Sequence, residues 1–164
     1  MIKQFAGIRT RENVRITVRD LNGKILEVKE LHNLIPTVDL NMLRNAYYGD
    51  VTDCQIKYMG LGSDDGTILP LAITNTTLGA ETFRKILTSR SKPANGQIKT
   101  TVYIAPAEAT FALIGSIKEI GWFSGVGAVI GFNTGILSSR IFYSRNKTSI
   151  ESIQVERTLT ISEA

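Results

Sequence analysis

Cysteine, histidine and tryptophan each occur once in this chain, as Cys54, His32 and Trp122. A lone cysteine excludes an internal disulfide framework and a zinc site built on cysteine pairs. A lone histidine excludes a histidine metal pair, and His32 has no local partner at the spacing a catalytic triad uses. Cys54 is expected to be a small buried apolar residue, and His32 to be structural. No apolar run approaches the roughly 18 residues that span a membrane. The opening MIKQFAGIRTREN has no apolar h-region and no cleavage site, so no signal peptide is expected. Neither sign of charge dominates: 19 Lys and Arg against 15 Asp and Glu leave a net charge of +4, too small to imply an acidic partner.

What is present reads as one β-rich domain over 1–164, with residues 1–12 a candidate extended N-terminal arm. A chain of 164 residues is long enough to bury a real core. Val14, Ile16 and Val18 alternate with Arg15, Thr17 and Arg19, the period of a half-buried strand. The DLNGK turn that follows permits two loops. A two-residue Asn22-Gly23 loop would pair Val18 with Glu27. A three-residue loop of Leu21, Asn22 and Gly23 pairs Val18 with Leu26 and Ile16 with Val28, sets Asp20 opposite Lys24 and puts Gly23 in the left-handed position. The apolar pattern favours the longer loop. One short helix is expected at about 37–48, with Thr37 as N-cap, Asp39 in the first turn, a stripe of Leu40, Leu43 and Tyr47, and Gly49 as the stop. Strands are expected at 55–61, 83–91, 97–104, 110–123, 136–144 and through the alternation of Ile153, Val155, Leu159 and Ile161. Residues 62–80 read as a long turn-rich connection. About seven or more strands and one helix predict an antiparallel β-sandwich.

Two charges interrupt the inward pattern. Glu119 shares a strand face with Phe111, Leu113 and Ile117, and Arg157 shares one with Val155 and Leu159. A buried charge must be paired, so Glu119 and Arg157 are expected to meet each other or a neighbouring subunit.

The chemistry-bearing motifs fail one by one. The window EIGWFSGVGAVIGFNTG, residues 119–135, suggests a phosphate cradle. Ile130 stands where a dinucleotide fingerprint needs its third glycine, no P-loop lysine follows, and GILSSRIFY reads as a strand instead of a helix. Glu119–Phe123 then reads as the end of a core strand, and residues 124–135 as a glycine-jointed loop that presents Val126, Val129, Ile130 and Phe132 as a contact surface. Asp64, Asp65 and Gly66 lack the ligand spacing of a calcium loop and read as a polar turn. Glu81 and Glu108 show no partner for acid–base work. Arg84, Lys85, Arg90, Lys92 and Lys99 form an acid-free stretch, but no stacking platform or recognition helix accompanies them, so a solvated strand face is expected and nucleic acid is not. Trp122, Tyr143, Tyr47, Tyr48 and Tyr103 are the aromatics a sugar-binding module would need. No catalytic residue, metal or cofactor is expected.

The order of these features resembles a group of tailed-bacteriophage virion proteins. The resemblance is carried by ITVRDLNGKILEVKE leading to LHNLIPTVDLNMLRNAYYGD, then IKYMGLGSDDGT, TTLGAETFRK, EIGWFSG, GILSSRIFYSRNKT and the final strand. These blocks cover most of residues 14–162 in order. The chain departs from the group at Arg157, where an aromatic or apolar residue is usual, and in the longer glycine-rich loop after Phe123. The resemblance implies a structural subunit of the tail, neck, collar or capsid surface. Its expected partners are copies of itself in a symmetric ring or trimer and other virion proteins, without a membrane. Its expected location is the virion, and the host cytoplasm during assembly. A carbohydrate-binding, host-recognition module of a fibre or baseplate is the alternative.

Overall fold

Alternating apolar residues along two long segments build the first layer. The computed structural model describes residues 8–32, 35–50 and 52–163. In chain order the elements are β1 (Ile8–Asp20), β2 (Ile25–His32), α1 (Thr37–Tyr48), β3 (Ile56–Gly62), β4 (Glu81–Ile86), β5 (Ser89–Ser91), β6 (Gln97–Ile104), α2 (Phe111–Ile114), β7 (Ile117–Ser124), β8 (Ile136–Arg145) and β9 (Glu151–Glu163). All paired strands are antiparallel, in a five-stranded sheet ordered β2-β1-β9-β6-β5 and a four-stranded sheet ordered β4-β3-β7-β8. This is the expected β-sandwich. Val14, Ile16, Val18, Val102, Ile104, Ile153 and Val155 from the first sheet pack against Met59, Leu61, Ile120, Trp122, Ile141 and Tyr143 from the second. Residues 8–12, expected within an arm, lie in β1 and pair with β9, while residues 1–7 fall outside the described ones. Asn33 and Leu34 of the HNL segment also fall outside them.

The hairpin turn forms as expected, but its register does not persist. Gly23 takes φ +81°, and the Asp20 N–H bonds Lys24 O at 3.0 Å, the three-residue loop. A bulge then absorbs Leu26, so Val18 pairs with Glu27 and Ile16 with Lys29. β2 is an edge strand, and its inward positions gain more from polar partners than from apolar packing. Glu27 there bonds the Arg145 guanidinium at 2.6 Å, and the Lys29 ammonium lies over the Tyr143 ring. Leu26 and Val28 therefore face outward and are exposed.

Three further expectations are corrected. The strand expected at 83–91 is two strands in different sheets. Leu87 N–H bonds Lys57 O and Thr88 N–H bonds Thr101 O, so the chain crosses from one sheet to the other at that corner. The strand expected at 110–123 begins only at Ile117, because Phe111–Ile114 closes a helical turn that ends at Gly115 with φ +74°. Helix α1 is present with Gly49 as its left-handed stop, but Thr37 is its first helical residue and Pro36 its cap position. Asp39 and Met42 face inward, while Leu40 and Tyr47 are exposed. Buried Pro36 and the 2.7 Å bond from Thr37 N–H to Ile73 O fix the roll of the helix at its start.

Candidate functional site: the loop-covered sheet face

The two faces of the sandwich differ in kind. The outer face of the five-stranded sheet carries Arg15, Arg19, Lys99, Gln154 and Glu156 to solvent or half-exposed positions. The outer face of the four-stranded sheet is covered. Two loops lie on it, residues 63–80 and 125–135. Beneath them Leu78, Phe123, Ala128 and Leu137 form a second small core, with Tyr58 packed at its side. Glycines in the strands make room for this layer. A Cβ at Gly121 would lie 2.7 Å from Leu78 Cδ2 and 3.0 Å from Leu137 Cδ1.

Each loop is held by a buried arginine from the sheet below. Arg140 of β8 donates from Nε to Glu119 Oε2 at 2.8 Å, from Nη2 to Asp64 Oδ2 at 3.1 Å, and from Nη1 to Leu69 O at 2.8 Å and Asn75 Oδ1 at 3.0 Å. Glu119 accepts in turn from the N–H groups of Gly79 and Ala80, at 3.1 and 2.8 Å. Asp64 accepts from Gly66, Ile68 and Leu69. Burial resists ionisation of Asp64, but the three N–H donors and the Arg140 guanidinium outweigh it and hold its carboxyl below the ordinary range. One guanidinium thereby fixes loop 63–80 at both ends and in the middle.

The second clamp is Arg84 of β4. Its fork bonds both oxygens of Glu81, at 2.6 and 2.9 Å. Its Nη1 reaches over to Val129 O at 2.9 Å, Thr134 O at 3.0 Å and Thr134 Oγ1 at 2.8 Å. The guanidinium stacks 4.0 Å from the centroid of Phe123. Glu81 also accepts the Asn133 N–H, and Asn133 Oδ1 accepts Leu78 N–H at 2.9 Å, which ties the two loops together.

Held this way, the loops present apolar side chains outward. Val126, Val129, Ile130 and Phe132 are 72%, 50%, 65% and 53% exposed. Ile68, Leu71 and Ile73 of the other loop are exposed as well. The four residues expected to form a contact surface are thus all on the surface, on a rigid mount.

Glu119 and Arg157 are both buried, as the sequence requires, but they do not pair with each other. At the step from Ile117 to Glu119, where β8 carries one more residue than β7, the alternation of β7 breaks, so Glu119 faces the loops while Ile117 faces the core, and Phe111 and Leu113 are off the strand altogether. Arg157 faces the inter-sheet core and pairs with Glu12 of β1, which also accepts Ser139 Oγ–H at 3.0 Å. Burial pushes the Arg157 guanidinium down to about 9. The basic stretch is not a solvated face either. Arg84 is buried, Lys85 pairs with Glu108 and Lys99 with Glu156, while Arg90 and Lys92 are exposed. Cys54 is half-buried instead of buried, and His32 is exposed at the end of β2. Trp122 and Tyr143 are core residues, which removes them as sugar platforms, and Tyr47 and Tyr48 are exposed on α1.

Arg140 and Glu12 are not singled out by the sequence pattern, and Asp64, Glu81 and Arg84 are singled out for other reasons than the loop clamps they form. The usable signals were an arginine in mid-strand at Arg140 and an acid–arginine pair three residues apart at Glu81 and Arg84. Among the described residues no helix is long and apolar enough to cross a membrane, and no group of three His, Cys, Asp or Glu could hold a metal. Comparison with known proteins finds no matching family model, no matching curated protein and no matching solved structure.

Proposed function

We propose that the chain is a non-enzymatic structural subunit of a tailed-bacteriophage virion, belonging to its tail, neck, collar or capsid surface. It works through contacts made by the loop-covered face, with other copies in a symmetric ring or trimer and with other virion proteins. The observation that supports this best is the double clamp. Buried guanidinium groups immobilise two loops whose exposed side chains are largely apolar. Fixing a loop in advance lowers the ordering cost of binding, which suits a repeated subunit contact. The ordered sequence blocks point to the same class. The buried carboxylates Glu81, Asp64 and Glu119 are engaged by arginine and backbone N–H groups, an arrangement that holds loops in place.

The test is the double substitution Ile130→Asp with Phe132→Asp. Both side chains point to solvent, so the unfolding free energy should change by no more than surface substitutions typically do, roughly 0.5 kcal/mol each. Light scattering of the unmodified chain should show a discrete oligomer, and the double variant should be a monomer. An unmodified chain that stays monomeric at high concentration, or a variant that assembles like it, would sink this reading.

A further inference from the structure

A cavity of about 240 Å³ opens below α1. Its walls are mainly apolar and include Met42, Leu43, Ile56, Ile98 and Leu159. Two polar side chains on neighbouring strands, Thr100 of β6 and Arg157 of β9, also line it and are cross-strand partners. Both are 1% exposed. Thr100 Oγ1 and Arg157 Nε have no hydrogen-bond partner within the protein. A buried polar atom without a partner costs free energy, and two beside one cavity indicate that something in the cavity completes them. The volume equals about eight water-sized units, enough for a small organic molecule.

We propose that this cavity binds a small, mainly apolar molecule through one acceptor oxygen, a carbonyl or carboxylate, placed against Arg157 Nε and Thr100 Oγ1. Arg157 supplies an N–H donor and Thr100 an O–H donor, so the complementary group is an acceptor. The remaining Arg157 charge is met by Glu12, and the other ionisable groups on the lining are Asp39, Cys54 and Arg90, with Arg90 bonded to Gln55 at the mouth. The Asp39 carboxyl is occupied by Ser138. The apolar walls take a short hydrocarbon body. None of Val126, Val129, Ile130 and Phe132 lines this cavity, and the site does not rest on the function proposed for them.

The protein carries its own reporter, because the sole cysteine, Cys54, lines the cavity. The full-length chain is treated with a thiol reagent in the presence of 2-heptanone, heptanoate or hexylammonium. All three have a similar apolar body, and only the first two offer an acceptor oxygen. 2-Heptanone, heptanoate or both should slow Cys54 modification at least fivefold, and the stronger of the two tells a neutral from an anionic ligand. Thr100→Val should reduce that protection several-fold while leaving the Trp122 emission unchanged. If Thr100→Val does not fold, Ile98→Tyr, at a half-exposed position on the rim, should reduce it instead. The proposal is overturned by equal protection from hexylammonium, by no protection from either oxygen compound, or by a crystal grown with the protecting compound that shows water alone against Arg157 and Thr100.

Discussion

Arg140 illustrates how much of this structure rests on single buried charges. Its side chain is fully enclosed and meets two carboxylates, Glu119 and Asp64, themselves enclosed. Removing one member of such a group leaves the others buried without compensation, which typically costs about 3–5 kcal/mol. Arg140→Ala should therefore lower the unfolding free energy measured in urea by about 3–5 kcal/mol, far more than Arg15→Ala on the exposed face of β1. Asp39 gives a residue-scale effect of opposite character. Burial raises its pKa from 3.8 to about 6, and the Ser138 bond only partly offsets this. The folded chain thus holds a proton more tightly than the unfolded one. The resulting stability is fully present below about pH 4 and is lost as pH rises through about 6. Asp39→Asn keeps a partner for Ser138 and removes the charge. It should stabilise the chain by up to roughly 3 kcal/mol at pH 8 and by little at pH 4, measured by chemical denaturation at both values. That Arg157 would be buried and paired was legible from alternation; Glu119 is buried and paired as well, but under the loops and not on the face alternation assigned it. Their partners were not legible, because Glu12, Asp64 and Arg140 lie distant in sequence and only register brings them close.

At the scale of elements, alternation failed wherever a bulge intervened. One extra residue at Leu26 turned β2 over, and one extra residue of β8 opposite the step from Ile117 to Glu119 broke the alternation of β7. A slip of one residue moves every later side chain to the other face, and nothing local marks where it happens. The strand glycines were legible as glycines but not as spacers. Gly121 falls within the strand expected at 110–123 and lies in β7, but nothing in the pattern shows that Leu78 packs against it. Gly121→Val should force Leu78 and Leu137 aside and cost roughly 1–3 kcal/mol. Amide exchange should show loop 63–80 losing protection first, while β1 and β9 keep theirs. Equal loss everywhere would mean the loop layer is not a separate unit.

As a whole, the molecule is a two-sheet sandwich with a third, loop-built layer on one side. Its response to pH combines the terms above. Asp64, Glu108 and Glu151 all titrate below their ordinary range; in each case burial opposes ionisation and hydrogen bonds and cations outweigh it. Their stabilisation is present above the unfolded carboxylate range and is lost as pH falls through the folded values. Asp39 acts in the reverse sense. The thermal midpoint should rise as pH falls from 8 to about 5 and drop below about 4, with the first limb absent in Asp39→Asn. A midpoint that falls steadily from pH 8 downward would contradict the Asp39 assignment.

The sequence alone determined the class of fold, the positions of most strands, the helix over Thr37–Tyr48 and the exposed apolar tip from Val126 to Phe132. These follow from short-range causes: side-chain period, turn chemistry and the demand that charges avoid unpaired burial. Tertiary structure alone decided which face each bulged strand presents, that one expected strand divides between two sheets, and that Arg84 and Arg140 are the pins of the loop layer. Those outcomes depend on contacts between residues tens of positions apart. The free energy of a buried ion pair is set by what surrounds it, and that is known only once the sheets have closed.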